Sequence, residues 1–76
     1  MMMTSAQCRM ARAALGWSAR ELAREAQVGS ATIDRFETGR GRPIAATVAV
    51  MKQALERGGV EFRPDGSVRL REAADV

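Results

Sequence analysis

The sequence predicts an all-α domain that ends in a β-hairpin. Apolar residues recur at helical spacing in four stretches of the first 58 residues, and capping signals or glycines separate these stretches. From residue 60 onward, apolar residues alternate with charged ones, which is the period of a strand. A chain of 76 residues is about the size of one folding unit. We therefore expect the helices and the hairpin to share a single core.

The first helix is predicted over residues 5–15. Thr4 is followed three residues later by Gln7, which is the spacing of a capping box. Residues 1–4 are expected to form a disordered N-terminus. Cys8 falls on the apolar side of this helix, so we expect core packing there rather than a reactive thiol.

The second and third helices are predicted to be short and close together. The second covers about residues 18–26, because Ser18 and Glu21 have capping-box spacing ahead of an apolar stripe. The pattern is then interrupted for the three residues 27–29. The third helix begins near Ser30 and is closed by a glycine after about two turns.

The fourth helix and the hairpin complete the chain. Pro43 is expected to start the helix, whose core-facing stripe comprises Ile44, Val48, Met51 and Leu55. The hairpin is predicted over residues 59–71 around a Pro-Asp-Gly turn, and residues 72–76 are expected to be a flexible tail. The helical domain proper is therefore predicted over residues 5–58.

Composition narrows the possible functions. The net charge is +3, and eleven of the twelve basic residues are arginine, whose planar guanidinium suits phosphates and guanine edges. The sequence has no histidine and a single cysteine, so we expect no metal site, no disulfide within the chain and no cofactor. No nucleophile can be paired with a base, which argues against an enzyme. Without a signal peptide or a long apolar run, a cytoplasmic protein that does not bind membranes is expected.

Two short helices joined by a brief turn, with a basic loop after the second, form a helix-turn-helix arrangement. The run from Trp17 to Pro43 reads WSARELAREAQVGSATIDRFETGRGRP. It resembles the XRE family of regulators, of the Cro and phage-repressor type, whose pattern is roughly S-x-x-E-L-A, a turn, and T-I-x-x-x-E-x-G-x-x-x-P. The resemblance implies a lambda-repressor-like domain of four to five helices, in which helix 3 enters the major groove of double-stranded DNA.

The face of helix 3 opposite Ile33 and Phe36 is predicted to be exposed. It carries Ser30, Ala31, Asp34, Arg35 and Thr38. In the family, bases are contacted by the first two residues of this face and by one a turn and a half later, which implies Ser30, Ala31 and Arg35. Arg35 could bind a guanine bidentately, and Asp34 could accept from a cytosine amino group. The alternatives are that Arg35 is a solvated charge and that Ser30 only caps the helix.

A second group of residues is predicted to contact phosphates. Arg40 and Arg42 lie in the loop after helix 3, where they would set the register on DNA unless they are plain solvated charges. Thr38 is assigned to the same role. Ser18 and Ala19 mark the start of helix 2, where the family directs backbone N–H groups at a phosphate.

Two further positions are assigned to the architecture of the domain, and the turn before helix 3 departs from the family pattern. Arg12 and Glu37 match positions that form a structural ion pair in related repressors, so Glu37 is assigned to architecture. Gln27 stands where the family usually has glycine. Either Gln27 adopts a left-handed conformation, at a cost of about 1 kcal/mol, or Gly29 takes over part of the bend.

The resemblance implies a repressor that binds a palindromic operator as a homodimer. We place the dimer contact on the hairpin, by strand pairing or through its apolar face; the residues are Val60, Phe62, Val68 and Leu70. The alternative is a module that keeps the fold but binds a protein partner, as an antitoxin or anti-regulator would. Ala19, Ala31 and Asp34, which are poor DNA ligands, favour that alternative. An antitoxin that also represses its own operon would combine both.

Overall fold

The computed structural model describes residues 2–71. In chain order the elements are α1 (Ser5–Leu15), α2 (Ala19–Ala26), α3 (Ser30–Glu37), α4 (Ala45–Gly58), β1 (Val60–Phe62) and β2 (Val68–Leu70). Over these residues the predicted fold class, an all-α domain with a C-terminal hairpin, is confirmed, with four helices. The predicted tail, residues 72–76, lies outside the described residues.

The capping boxes differ in how completely they form. At α1, the Thr4 hydroxyl accepts from the Gln7 amide at 3.1 Å and the Gln7 side chain accepts from the Thr4 amide at 2.8 Å. At α2, the Ser18 hydroxyl accepts from the Glu21 amide at 3.0 Å, while the Glu21 carboxylate lies 3.5 Å from the Ser18 hydroxyl. Both helices therefore begin within a residue of their predicted starts.

The core is built from one side of every helix and from the first strand. The largest side chains that are fully buried are Leu22, Ile33, Met51, Leu55, Val48, Val60 and Cys8. Cys8 is thus a core residue, as its place on the apolar side of the first helix predicted.

Residues 2–4, which precede α1, are ordered, contrary to the prediction of a disordered N-terminus; Met1 lies outside the described residues. Met3 is 3% exposed and belongs to the core, and Thr4 is held by its capping bonds. Burial of a methionine side chain stabilises by about 1.5–3 kcal/mol, which together with the capping bonds offsets the entropy lost in ordering the segment. Three residues carry no periodicity, so the sequence pattern could not show this packing.

The start of α4 also differs from the prediction. The helix begins at Ala45 rather than at Pro43, and Ile44 is its N-cap with φ −61° and ψ 155°. This extended backbone takes Ile44 off the helical stripe, and its side chain is 72% exposed. Val48, Met51 and Leu55 are buried as expected.

The hairpin pairs its strands antiparallel, and its apolar face covers the helices of the same chain. The register is Val60 with Leu70, Glu61 with Arg69 and Phe62 with Val68. Val60 is 1% exposed, while Phe62 and Val68 pack against the core. A two-stranded hairpin is marginal alone in water and needs such support.

This packing contradicts a dimer contact through the apolar face of the hairpin, whereas a contact by strand pairing stays a prediction. Val60 is inaccessible, and the apolar surfaces of Phe62 and Val68 are already used within the chain. Of the four predicted contacts, only Leu70 is exposed, at 48%.

Candidate nucleic-acid interface

The turn between α2 and α3 is made by Gln27, Val28 and Gly29. Gln27 has φ 58° and ψ 43°, and it is the one residue other than glycine with positive φ among residues 2–71. Gly29 keeps φ −68°. Of the two alternatives open from the sequence, Gln27 therefore makes the left-handed bend and Gly29 does not. The Val28 amide closes the turn by donating to the Ala23 carbonyl at 3.0 Å.

The inner side of α3 is held by the ion pair between Arg12 and Glu37. Arg12 donates from Nε and Nη2 to the two carboxylate oxygens of Glu37, both at 2.7 Å. Its Nη1 donates to the Trp17 carbonyl at 2.9 Å. A single guanidinium on α1 therefore connects the segment before α2 to the end of α3.

Glu37 is buried yet ionised. Burial would raise its pKa, but hydrogen bonds from Arg12 and Cys8 reverse this and leave the pKa of Glu37 lowered. The hydrogen bond between Arg12 and Glu37 also raises the pKa of the Arg12 guanidinium. Burial and the neighbouring Glu37 raise the pKa of the Cys8 thiol, which donates to the carboxylate at 3.1 Å. Cys8 is therefore a hydrogen-bond donor here and not a nucleophile.

Two further side chains of α1 reach the main chain at the end of α3. The Ser5 hydroxyl donates to the Phe36 carbonyl at 2.6 Å, and an Arg9 guanidinium nitrogen donates to the Glu37 carbonyl. These carbonyls belong to the last turn of α3, where they have no partner within the helix. Sequence analysis missed both contacts, because nothing in a pattern links residues about thirty positions apart.

The outer face of α3 is exposed. Ala31, Asp34, Arg35 and Thr38 are exposed, and Ser30 is half-buried. Arg35 Nε donates to the Ala31 carbonyl at 3.3 Å, and the Thr38 hydroxyl donates to the Asp34 carbonyl at 2.8 Å. The side-chain hydrogen bonds of this face thus run to the backbone of α3 itself. Thr38 would have to give up its bond in order to donate to a phosphate.

The loop after α3 folds back against Arg35 and forms a basic cleft. The amides of Arg40 and Gly41 both donate to the Arg35 carbonyl, at 2.8 and 3.2 Å. The resulting cleft has a volume of about 290 Å³ and is lined by Thr32, Arg35, Arg40, Gly41, Arg42 and Pro43. The structure therefore brings together Arg35, Arg40 and Arg42.

Thr32 and Gly41 belong to this cleft although sequence analysis did not select them. A Cβ atom added to Gly41 would lie 3.3 Å from the Cβ of Arg35, which is closer than ordinary packing. The small residue between two arginines was the available signal, since it lets the loop approach the helix closely.

Ser18 and Ala19, which were predicted to contact a phosphate, lie at the start of α2. Ser18 is exposed, and its hydroxyl oxygen accepts from the Glu21 amide. The Ala19 side chain packs against the core, so only its backbone N–H could meet a phosphate. Neither residue lines the basic cleft.

Residues 2–71 contain neither a cluster of metal ligands nor a membrane-spanning helix. No group of three or more His, Cys, Asp or Glu side chains is placed to hold a metal ion in this part of the chain. None of its helices has the length and apolar character needed to cross a membrane.

A family model described as a helix-turn-helix domain matches residues 5–64. The chain belongs to this helix-turn-helix family. The match begins at the first residue of α1 and ends in the hairpin turn, so it includes the side chains of α1 that hold α3. The helix-turn-helix assignment made from the sequence is therefore confirmed. No curated protein matches the chain.

Proposed function

We propose that this helix-turn-helix protein is a transcriptional regulator that binds DNA by placing α3 in the major groove. One observation carries the proposal: α3 is fixed from its inner side, while its outer face is exposed and continues into a cleft lined by three arginines. A rigid, exposed helix face beside a basic cleft fits the groove of a polyanion.

Arg35 is the principal base reader in this proposal. Its Nε makes one long bond to the Ala31 carbonyl, which leaves both terminal nitrogens available for the O6 and N7 atoms of a guanine. Ala31 would offer its methyl group to a thymine, and Asp34 would accept from a cytosine amino group. Ser30, at the first turn, completes the set of base contacts.

Arg40 and Arg42 would bind phosphates beside the base contacts. Both side chains are exposed, and both line the cleft beside Arg35. Contacts of this type set the register of α3 on DNA and supply salt-dependent affinity. Ser18 and the amide of Ala19 would add a phosphate contact at the start of α2.

The regulator would act in the cytoplasm as a homodimeric repressor on a palindromic operator. Two α3 helices spaced by about 34 Å would enter successive major grooves. One copy offers few base readers, so a second copy is needed for useful specificity. Repression would follow from occlusion of a promoter.

A second candidate is a protein-binding module on the same fold, such as an antitoxin or anti-regulator. Asp34 favours it, because its exposed carboxylate lies in the middle of the proposed DNA face and forms no ion pair within residues 2–71. Such a module would use the outer face of α3 for a protein partner instead of DNA.

Selection of bound sequences from a random duplex library at near-physiological salt separates the two candidates. An enriched palindrome would support the homodimeric regulator and give its half-site spacing. Absence of any enriched sequence, together with a stable complex with a protein partner, would favour the protein-binding module.

Arginine variants test the individual roles on the selected DNA. Arg35→Ala should reduce discrimination at one base pair by about 1–3 kcal/mol. Arg42→Ala should weaken binding to all DNA sequences alike and lower the slope of log affinity against log salt concentration by about one. Arg63→Ala is the charge-matched control, because Arg63 lies beyond β1 and pairs with Glu61. Equal binding by wild type and both cleft variants would contradict the assignment.

A further inference from the structure

The basic cleft beside α3 carries positive charge that its own residues do not balance. Its lining residues include three arginines and one threonine, and no carboxylate of residues 2–71 lines it. Asp34 precedes Arg35 in the sequence but is not part of the lining. None of the three arginines forms an ion pair within residues 2–71. Three like charges around one concave space attract an anion.

Other grooves on the surface carry their basic residues together with acidic ones. Two grooves beside the hairpin are lined by both Glu56 and Arg71. A third contains Lys52 and Arg63, but Arg63 pairs with Glu61 at 3.1 Å. A carboxylate in or beside a groove repels an added anion, which makes the basic cleft the stronger anion site.

The size and the charge of the basic cleft favour a compact polyanion. Its volume of about 290 Å³ corresponds to about ten water molecules at ~30 Å³ each, which is room for two linked phosphoryl groups. A phosphodiester of DNA brings a single negative charge per phosphate. A terminal phosphate carries about −1.5 to −2 at pH 7, and an inner phosphate adds to this. A terminal diphosphate therefore comes closest to neutralising three guanidinium groups.

Arg35 connects the basic cleft to the reading of DNA. The loop packs closely on its stem: its carbonyl accepts from the amides of Arg40 and Gly41, and a Cβ atom added to Gly41 would lie 3.3 Å from the Arg35 Cβ. Arg35 thus lines the cleft and is also the base reader of the proposed function. An anion bonded to its guanidinium in the cleft would occupy the nitrogens that a guanine needs. One guanidinium cannot serve both ligands at once.

We propose that the basic cleft binds a small molecule with a terminal diphosphate group, such as a nucleoside diphosphate, and that this ligand and DNA exclude each other. The groups that hold the diphosphate are the guanidinium groups of Arg35, Arg40 and Arg42 and the hydroxyl of Thr32. Exclusion of DNA rests on the proposed function, whereas the anion site rests on the cleft alone. Because linkage is reciprocal, the ligand releases DNA to the same extent that DNA releases the ligand.

Calorimetric titration of the full chain with inorganic pyrophosphate, without DNA or divalent cations and at constant ionic strength, tests the anion site. Wild type should bind one pyrophosphate with a Kd at least about tenfold below that for orthophosphate. The double variant Arg40→Ala/Arg42→Ala should raise the pyrophosphate Kd by at least about tenfold. Arg63→Ala/Arg69→Ala removes the same charge from the hairpin, where both arginines pair with Glu61, and should change the Kd by less than about twofold. Circular dichroism verifies that both double variants are folded.

Three results of this titration would overturn the anion site. They are the absence of saturable binding, a Kd for pyrophosphate no lower than that for orthophosphate, and equal weakening by the two double variants. Equal weakening would mean that net charge alone attracts the anion.

Fluorescence anisotropy on a labelled duplex separates this inference from the proposed function. At constant ionic strength, pyrophosphate should raise the apparent Kd for DNA, doubling it at the pyrophosphate Kd found by calorimetry. Pyrophosphate that binds in the cleft but leaves DNA affinity unchanged would overturn the mutual exclusion. A protein that binds pyrophosphate in the cleft but shows no salt-dependent DNA binding would contradict the proposed function and leave the anion site standing.

Discussion

The two sides of α3 differ in what their side chains contact. On the inner side, Ile33 is fully buried and Glu37 accepts hydrogen bonds from two side chains of α1. On the outer side, the hydrogen bonds of Arg35 and Thr38 stay within α3. The comparison indicates a division of roles: inner residues fix where the helix lies, and outer residues are available to a ligand.

The largest effect is expected on the inner side. Glu37→Gln removes the buried charge that balances Arg12 and should lower the free energy of unfolding by about 3 kcal/mol. Urea unfolding followed by the fluorescence of Trp17 measures this. Glu61→Gln is the matched control: its carboxylate is 45% exposed, and its loss should cost no more than about 0.5 kcal/mol. Equal losses of unfolding free energy in Glu37→Gln and Glu61→Gln would contradict the proposed distinction between buried and exposed ion pairs.

Low pH should weaken the ion pair between Arg12 and Glu37. The pKa of Glu37 is lowered on folding from an ordinary value of 4.5, so its contribution is complete above about pH 4.5 and is lost as pH falls through the folded pKa. The difference in stability between wild type and Glu37→Gln should therefore shrink below pH 4.5. Unfolding experiments across pH 3–7 check this, and a difference that stays constant would contradict the ion-pair explanation.

A smaller effect is expected at the turn before α3. Gln27→Gly should raise the free energy of unfolding by about 0.5–1 kcal/mol, because glycine adopts positive φ without the Cβ penalty. Gln53→Gly, an exposed position within α4, should instead lose about 1 kcal/mol. If α3 is positioned by α1 and not by the turn, DNA binding by Gln27→Gly should match that of wild type. Weaker binding would show that the turn also sets the position of α3.

The smallest change in stability is expected on the outer side. Asp34→Ala should alter the free energy of unfolding by no more than about 0.5 kcal/mol, since the carboxylate is exposed. Affinity for random-sequence DNA should rise, because a negative charge leaves a surface that faces phosphates. Ile33→Val, one position away on the buried side, should cost about 1 kcal/mol. Unchanged DNA affinity in Asp34→Ala would argue that this face does not meet DNA.

The elements of this fold could be predicted because their signals are local. Thr4 and Ser18 cap their helices within hydrogen-bond reach of residues three positions later, and the period changes after Gly59. The exposed face of α3 followed in the same way from the spacing of Ile33 and Phe36. These features can be predicted from neighbouring residues alone, without knowing which segments pack against them.

The parts that could not be predicted depend on contacts between distant segments. The burial of Met3 and Val60 depends on which helices pack against each of them, and the sequence pattern does not specify this. Ile44 has the spacing of a core residue but lies in an extended cap. The basic cleft likewise forms only because loop amides bind the Arg35 carbonyl.

The anchors at the end of α3 have a consequence for directed evolution. Ser5 and Arg9 bind main-chain carbonyls of α3, and the loop amides bind the carbonyl of Arg35 rather than its side chain. Every amino acid has a main-chain carbonyl, and all except proline can hold it at a helical position without disturbing the helix. Randomising Ala31, Asp34 and Arg35 would therefore leave these supports in place, so under the proposed function one backbone could be recoded for many DNA targets at little cost in folding.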